Sequence, residues 1–303
     1  MNADRPFLGV MLMLAFCVLA PIGDSLAKLL GGMVAVTVLV TFRFGIQAIL
    51  LLPLVWWSGD GLRLPKGVLG WTLLRTVLHI LGIGMMFSAL RYLPLADAIA
   101  IAFVMPFIML LLGHFVMGEE VGWPRMIACV VGFIGTLMVI QPNFVEVGYP
   151  ALLPLGVALI FALFMMVTRK IARAMDPIKL QAVSGIQASV ILVTALLLFP
   201  QLLGDNGFDL ELRAWVLIVA MGLLGTFAHL FMTWSLRFAP ASTLAPMQYL
   251  EIPFSTLIGW MIFQDLPNGL AALGICITIG AGLYIILREQ RLARQSQAVP
   301  EEA

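Results

Sequence analysis

The sequence predicts an all-α integral membrane protein, ten transmembrane helices arranged as a five-plus-five inverted repeat. Three observations carry that expectation. Hydrophobic residues make up 62% of the chain and charged residues 11%, and mean hydropathy is +1.06, which leaves too few polar side chains to cover a water-exposed surface. The chain divides into ten apolar stretches, each near the ~20 residues that cross a bilayer as a helix. Finally, a segment from Ala89, ALRYLPLADAIAIAFVMPFIMLLLGHFVMGEE, recurs from Ser235 as SLRFAPASTLAPMQYLEIPFSTLIGWMIFQD.

The first five stretches run over roughly 7–31, 34–57, 68–91, 94–117 and 124–141. The first is too long for a signal peptide and carries Asp24 and Lys28, so it is expected to stay in the protein. The second contains Arg43. The next five run over roughly 151–171, 178–200, 213–237, 240–264 and 268–288. From Arg288 the chain is polar and mixed in charge, the composition of a frayed end. Cys17, Cys129 and Cys276 stand singly in three spans without a CxxC pair, so neither a disulfide scaffold nor a metal site is indicated.

Lys and Arg are placed asymmetrically. With the N-terminus in the cytoplasm, Arg5, Arg63, Lys66, Arg75, Arg125, Arg169, Lys170, Arg173, Lys179, Arg237, Arg288, Arg291 and Arg294 fall inside, against Lys28, Arg91 and Arg213 near outer ends. The positive-inside rule therefore sets both termini in the cytoplasm, as an even number of spans requires. Net charge is +1, so no global basic field points to nucleic acid.

Within the repeat, Arg91 matches Arg237, Pro94 matches Pro240, Pro106 with Phe107 matches Pro253 with Phe254, and Glu119 matches Asp265, with one residue inserted in the second copy. LGV at Leu8 recurs at Leu155 and GIQA at Gly45 recurs at Gly185. The units are 1–142 and 143–303. An odd number of spans per copy makes the second copy enter from the opposite side, and two such halves can exchange conformations. That arrangement favours alternating access over catalysis. Small residues at four-residue spacing, Ala128, Gly132 and Thr136 in span five and Gly274, Thr278 and Gly282 in span ten, allow close packing, either within one chain or between two. A monomer and a homodimer both remain open.

The candidate site centres on Glu251, deep in the run 240–264 and flanked by Pro246 and Pro253. An ionisable group at such depth ordinarily faces a cavity or a partner, and each proline frees a carbonyl that can line one. Glu251 is read as binding a substrate's amine or ring donors, or as carrying a coupling proton. A carboxylate that merely caps freed amides or binds another span is the plainer reading. Gln248 and Tyr249 can add hydrogen bonds, though only one of them shares Glu251's face. Asp24 and Lys28, one turn apart, either pair with each other or act separately, Asp24 on a proton or cationic group and Lys28 on tuning or an outer gate. Arg43 is too deep to snorkel and calls for Asp24 or a substrate carboxylate or phosphate. His79 and His229 lack metal-site spacing and read first as core histidines. Trp234 can stack on a planar ligand or anchor at an interface.

The paired patterns Pro106 to Glu119 and Leu250 to Asp265, with VVGFIGTLMVIQP at Val130, resemble the EamA family of the drug/metabolite transporter superfamily over nearly the whole chain. Gln264 and Asp265 stand where that family more often has Gly-Glu. Asp24-x-x-x-Lys28 followed by Phe42-Arg43-Phe44 is similar to the branch with S-adenosylmethionine and riboflavin uptake carriers. The resemblance implies a secondary carrier for a small organic metabolite in an inner membrane, and puts His79 and His229 on spans bordering its cavity. Protons are candidate coupling ions, lipid is the surrounding partner, and no cofactor is implied. No GxxxxGK[ST] loop is present, nor GxSG or HExxH, which argues against an ATPase or an intramembrane enzyme. Efflux of amino acids or toxic amphiphiles is the alternative.

Overall fold

The computed structural model describes residues 5–59, 61–65, 67–93, 95–119, 121–140, 149–204, 207–264 and 268–298. In order the helices are α1 (Pro6–Leu30), α2 (Val36–Trp57), α3 (Leu69–Ala89), α4 (Leu95–Ala102), α5 (Met105–Met117), α6 (Trp123–Ile140), α7 (Leu152–Ala172), α8 (Pro177–Leu198), α9 (Leu212–Phe238), α10 (Ala241–Leu244), α11 (Glu251–Phe263) and α12 (Gly269–Ala298). A 3-10 stretch, Ala245–Leu250, joins α10 to α11. Among the described residues seven helices are long and apolar enough to cross a membrane, and α5 and α6 are shorter apolar helices. The protein is a multi-pass membrane protein.

Two expected spans are not single helices. The stretch 94–117 is split into α4 and α5 at Phe103 and Val104, and 240–264 is split by the 3-10 stretch. Proline accounts for both. Pro106 has no N–H and disfavours helical geometry before it, so the helix restarts with Pro106 in the first turn of α5. Pro246 opens the 3-10 stretch, and Pro253 again falls in the first turn of α11, where its missing donor costs nothing.

The helices pack in pairs: α1 against α9, α3 against α7, α2 against α8, and α6 against α12. The recurring short motifs explain part of this. A Cβ on Gly9 would strike Ala239, and one on Gly156 would strike Met85, so the two LGV glycines serve α1·α9 and α3·α7 respectively. A Cβ on Gly185 would sit 2.9 Å from the Ala48 backbone nitrogen, so one GIQA copy packs directly on the other. In the α6·α12 pair a Cβ on Gly135 would lie 2.9 Å from the Gly274 carbonyl oxygen, while Gly132 accommodates the Tyr249 ring and Gly282 accommodates Leu250. The small-residue stripes thus serve contacts within the chain.

Other expectations need correction. Arg75 and Arg169, counted with the cytoplasmic charges, are 0% and 2% exposed inside α3 and α7. The polar segment after Arg288 does not fray: α12 continues to Ala298, since Arg, Glu, Gln, Leu and Ala are strong helix formers and Glu289 is held by Arg288 at 2.8 Å and Arg125 at 3.5 Å.

The ends of the two broken spans are tied together. The Glu119 carboxylate, after α5, accepts from the backbone N–H groups of Ala241 (3.2 Å) and Ser242 (2.9 Å) at the start of α10. Arg169 stands 3.9 Å from Glu119 and donates to the Leu236 carbonyl at 2.7 Å. The repeat partners Pro94 and Asp265, the Lys66 position and the side chain of Asp97 lie outside the described residues.

Candidate substrate site

The two breaks meet. Tyr249, fully buried, directs its hydroxyl to the Phe103 carbonyl (3.4 Å) at the break between α4 and α5 and stands 3.7 Å from Cys129 Sγ. The carbonyl of Met247, in the other break, accepts from Cys17 Sγ at 3.7 Å. Carbonyls within the two breaks are therefore used to join them to α1 and to each other.

Next to these breaks lies a cavity of about 90 Å³ whose polar lining is Asp24 from α1, Arg43 from α2, His229 from α9, Gln248 and Glu251. Its walls are otherwise apolar and aromatic, with Phe16, Phe87, Phe103 and Phe161 and the methionines 86, 105, 165 and 221. Aromatic faces and thioethers suit a planar, polarisable ligand. Pockets for drug-sized ligands run to roughly 300–1,000 Å³, so such a ligand is admitted only as the walls part.

Glu251 is 8% exposed, and neither its carboxylate nor that of Asp24 has a hydrogen-bond or ion-pair partner among the described residues. The two carboxylates interact with each other, and Asp24 also interacts with Arg43. Arg43 is anchored: it donates to Gln47 Oε1 (3.0 Å) and to the Gly225 carbonyl, and stands 3.1 Å from His229 Nδ1. The same Nδ1 stands 3.0 Å from the Gly225 carbonyl oxygen, which accepts only from an N–H, while Nε2 has no partner. A Cβ on Gly225 would overlap the guanidinium, so glycine is what lets Arg43 reach that carbonyl.

The remaining candidates separate. Gln248 shares the cavity with Glu251; its Nε2 meets Met109 Sδ at 3.4 Å and its buried Oε1 has no partner. Tyr249 faces the other way, into the contact with α6. Lys28 does not pair with Asp24. It donates to the Leu93 carbonyl (3.1 Å) and lies 5.2 Å from the Phe263 ring centroid, at the end of α1 where α3 and α11 also end. His79 lies behind the cavity, its ring 4.4 Å from those of both Phe164 and His229. Trp234 packs against the cluster of Leu51, Val55, Ala182 and Leu230, outside the cavity lining.

Sequence reading missed a buried polar network behind Arg43. Gln47 Nε2 donates to Gln181 Oε1 (3.1 Å), Gln181 Nε2 donates to Thr233 Oγ1 (2.9 Å), and Arg75 donates to Thr168 (2.9 Å), Ser184 (2.7 Å) and Thr233 (3.4 Å). Glutamines inside apolar runs were a usable signal. Arg75 was not, because it falls near the start of its span and looks like an interfacial charge.

Comparison with known proteins bears on the whole chain. The profile of the EamA-like transporter family matches residues 7–141 and again 149–288. A riboflavin transporter of Rhizobium johnstonii is 30% identical over 228 residues, 74% of this chain and 72% of its own. An S-adenosylmethionine uptake transporter of Rickettsia prowazekii is 27% identical over 93% of this chain and 94% of its own. A pseudopaline exporter of Pseudomonas aeruginosa is 25% identical over 84% and 85%. A solved crystal structure, 22% identical, superposes with a TM-score of 0.72 over 94% of this chain and 97% of its own, and shares the fold.

Proposed function

This chain belongs to the EamA-like transporter family, and from that premise we propose that it is a secondary carrier for a zwitterionic or cationic organic metabolite with a planar part, of the S-adenosylmethionine kind. The family's members among its relatives are transporters, not enzymes. One observation carries the substrate reading: Asp24, Glu251 and Arg43 converge on a single buried cavity with aromatic walls. Two carboxylates and one guanidinium suit a ligand bearing both a cationic centre and a carboxylate, with the ring system on the phenylalanines. A neutral flavin would leave those charges without counterparts, which is why S-adenosylmethionine is preferred over riboflavin.

In this reading the ten spans form two inverted units, 1–142 and 143–303, in an inner membrane with both termini cytoplasmic. The symmetric helix pairing, α1·α9 beside α3·α7, supports it, since exchanging the units converts one pair into the other. The two proline-broken spans sit in equivalent places, as carriers of this design use them. Glu251 binds the cationic group, Arg43 the carboxylate, and Asp24 balances Arg43 and exchanges that role for a proton when substrate arrives. Lys28 belongs to the outer closure. Export is the second reading, favoured by the exporter among the relatives.

The test is thermal unfolding of purified protein with S-adenosylmethionine, riboflavin and amino acids, repeated with Glu251→Gln. Ligand bound to the folded state alone raises the melting temperature. We expect S-adenosylmethionine to raise it in the wild type and not in the variant, which itself melts near the wild type. A shift retained in Glu251→Gln removes Glu251 from the site.

A further inference from the structure

Arg75 has no part in the cycle described so far, yet it is one of three deeply buried cations, with Arg43 and Arg169. It is 0% exposed, and its guanidinium donates only to hydroxyls, Thr168 Oγ1, Ser184 Oγ and Thr233 Oγ1. Among the described residues no carboxylate lies within ion-pair distance of it. The hydroxyls are oriented for it: Thr168 and Thr233 each donate to their own helix, to the Phe164 and His229 carbonyls at 2.7 Å, which leaves lone pairs for the guanidinium. A buried guanidinium ordinarily has a carboxylate partner. Here the neighbours solvate the charge without neutralising it.

A second, separate observation points the same way. His79 is fully buried, and neither ring nitrogen has a hydrogen-bond partner. Its ring stacks on Phe164, the ring that also carries Arg75 at 4.7 Å from the centroid. An unmatched cation and an unused imidazole thus both lie against one aromatic ring. Both connect to the cavity, His79 through His229 at 4.4 Å, and Arg75 through Thr233, Gln181 and Gln47 to Arg43. Arg75, Thr168, Ser184 and Thr233 all lie within about two turns of helix ends that open on the same face, the start of α3 and α8 and the end of α7 and α9.

We propose that Arg75, with Thr168, Ser184 and Thr233, is a second anion-binding station between the cavity and that membrane face, taking a small anion or carboxylate when α3, α7 and α9 part. Arg43 holds the anionic group in the cavity, and Arg75 is the next fixed cation along the polar chain. His79 supplies an N–H to the same group. The carboxylate of the transported molecule and a free inorganic anion present the same chemistry. The cargo assignment rests on the carrier reading above; the station itself does not.

The experiment uses the full chain, as wild type, Arg75→Gln, Arg75→Lys and Arg43→Gln, with two probes. Sodium bromide is titrated at constant ionic strength while thermal unfolding is followed. S-adenosylmethionine is measured for equilibrium binding in detergent and for exchange in proteoliposomes. We expect saturable stabilisation by bromide in the wild type and Arg43→Gln, its loss in Arg75→Gln, and partial recovery in Arg75→Lys. If the carboxylate of the cargo uses the station, Arg75→Gln binds S-adenosylmethionine within about threefold of the wild type but exchanges it at least tenfold more slowly. Bromide dependence without that slowing assigns the station to a free inorganic anion. No saturable bromide effect, or one indifferent to Arg75, together with wild-type exchange in Arg75→Gln, overturns it. Should Arg75→Gln not fold, Ser184→Ala replaces it, and unchanged bromide midpoint and exchange rate there overturn the proposal as well. Failure of the wild type to bind S-adenosylmethionine would sink the substrate reading while the bromide arm still judges the station.

Discussion

At the scale of single residues, the candidate site is an arrangement in which a glycine decides where a cation sits. Gly225 lets Arg43 reach its carbonyl and His229 together. Gly225→Ala should displace the guanidinium, the flexible end of a long side chain, rather than unfold the helix pair. A charge-assisted hydrogen bond is worth ~1.5–3 kcal/mol, so affinity for a carboxylate-bearing substrate should fall roughly 10- to 100-fold while melting changes little. Isothermal titration beside thermal unfolding checks this, and Arg43→Ala should match the affinity loss. Much of this site was legible beforehand: Asp24, Arg43, Gln248 and Glu251 stand out because polar groups are rare in apolar spans, and the structure brings them to one cavity. Which neighbour of Glu251 shares its face was not legible, because the backbone there is 3-10 rather than α and turns Gln248 inward and Tyr249 toward α6. Arg75 escaped notice for a different reason. Proximity to a span's end looks the same in sequence whether a guanidinium snorkels outward or turns into the core.

At the scale of elements, the departure of Gln264 from the family's usual glycine acquires a meaning. Helix α5 ends on Gly118 with φ +65°, and α11 ends on Gln264 with φ +61°, both left-handed. Glycine adopts that geometry freely, whereas an L side chain pays ~1–2 kcal/mol. Gln264→Gly should therefore stabilise by about 1 kcal/mol and raise the melting temperature by roughly 2 °C, and Gly118→Ala should lower it by a similar amount. Differential scanning fluorimetry reads both, and a Gln264→Gly variant that melts lower would show that the side chain matters more than the backbone. The prolines were visible in the sequence, and so were the loosened stretches around them. That each would end one helix and start another was not, since Pro246 and Pro253 are tolerated in a continuous membrane helix when neighbours satisfy the freed groups. Here the Met247 and Phe103 carbonyls, one in each break, are met by Cys17 and Tyr249, partners more than a hundred residues away, which periodicity does not reveal.

For the whole molecule, the proposed repeat left a signal in the sequence where packing contacts need small residues: Gly9 packs at the end of α9 and Gly156 against α3. The proposed orientation, with both termini cytoplasmic, rests on loop charges and does not depend on Arg75 and Arg169, since Arg63, Arg125, Lys170, Arg173 and Lys179 fall on the inner side in that reading. A fluorescent protein fused after Ala303 should fluoresce, and alkaline phosphatase at the same place should be inactive; an active phosphatase would reverse the topology. The buried guanidiniums also bear on what must not cross. Arg43 and Arg75 place fixed positive charge along the inner polar chain with neutral amides and hydroxyls between them, and such a stretch repels hydronium and sodium much as cationic constrictions do in water channels. Along that stretch the fixed charge favours anionic groups over small inorganic cations, so the same feature that holds a carboxylate also narrows what can leak beside it.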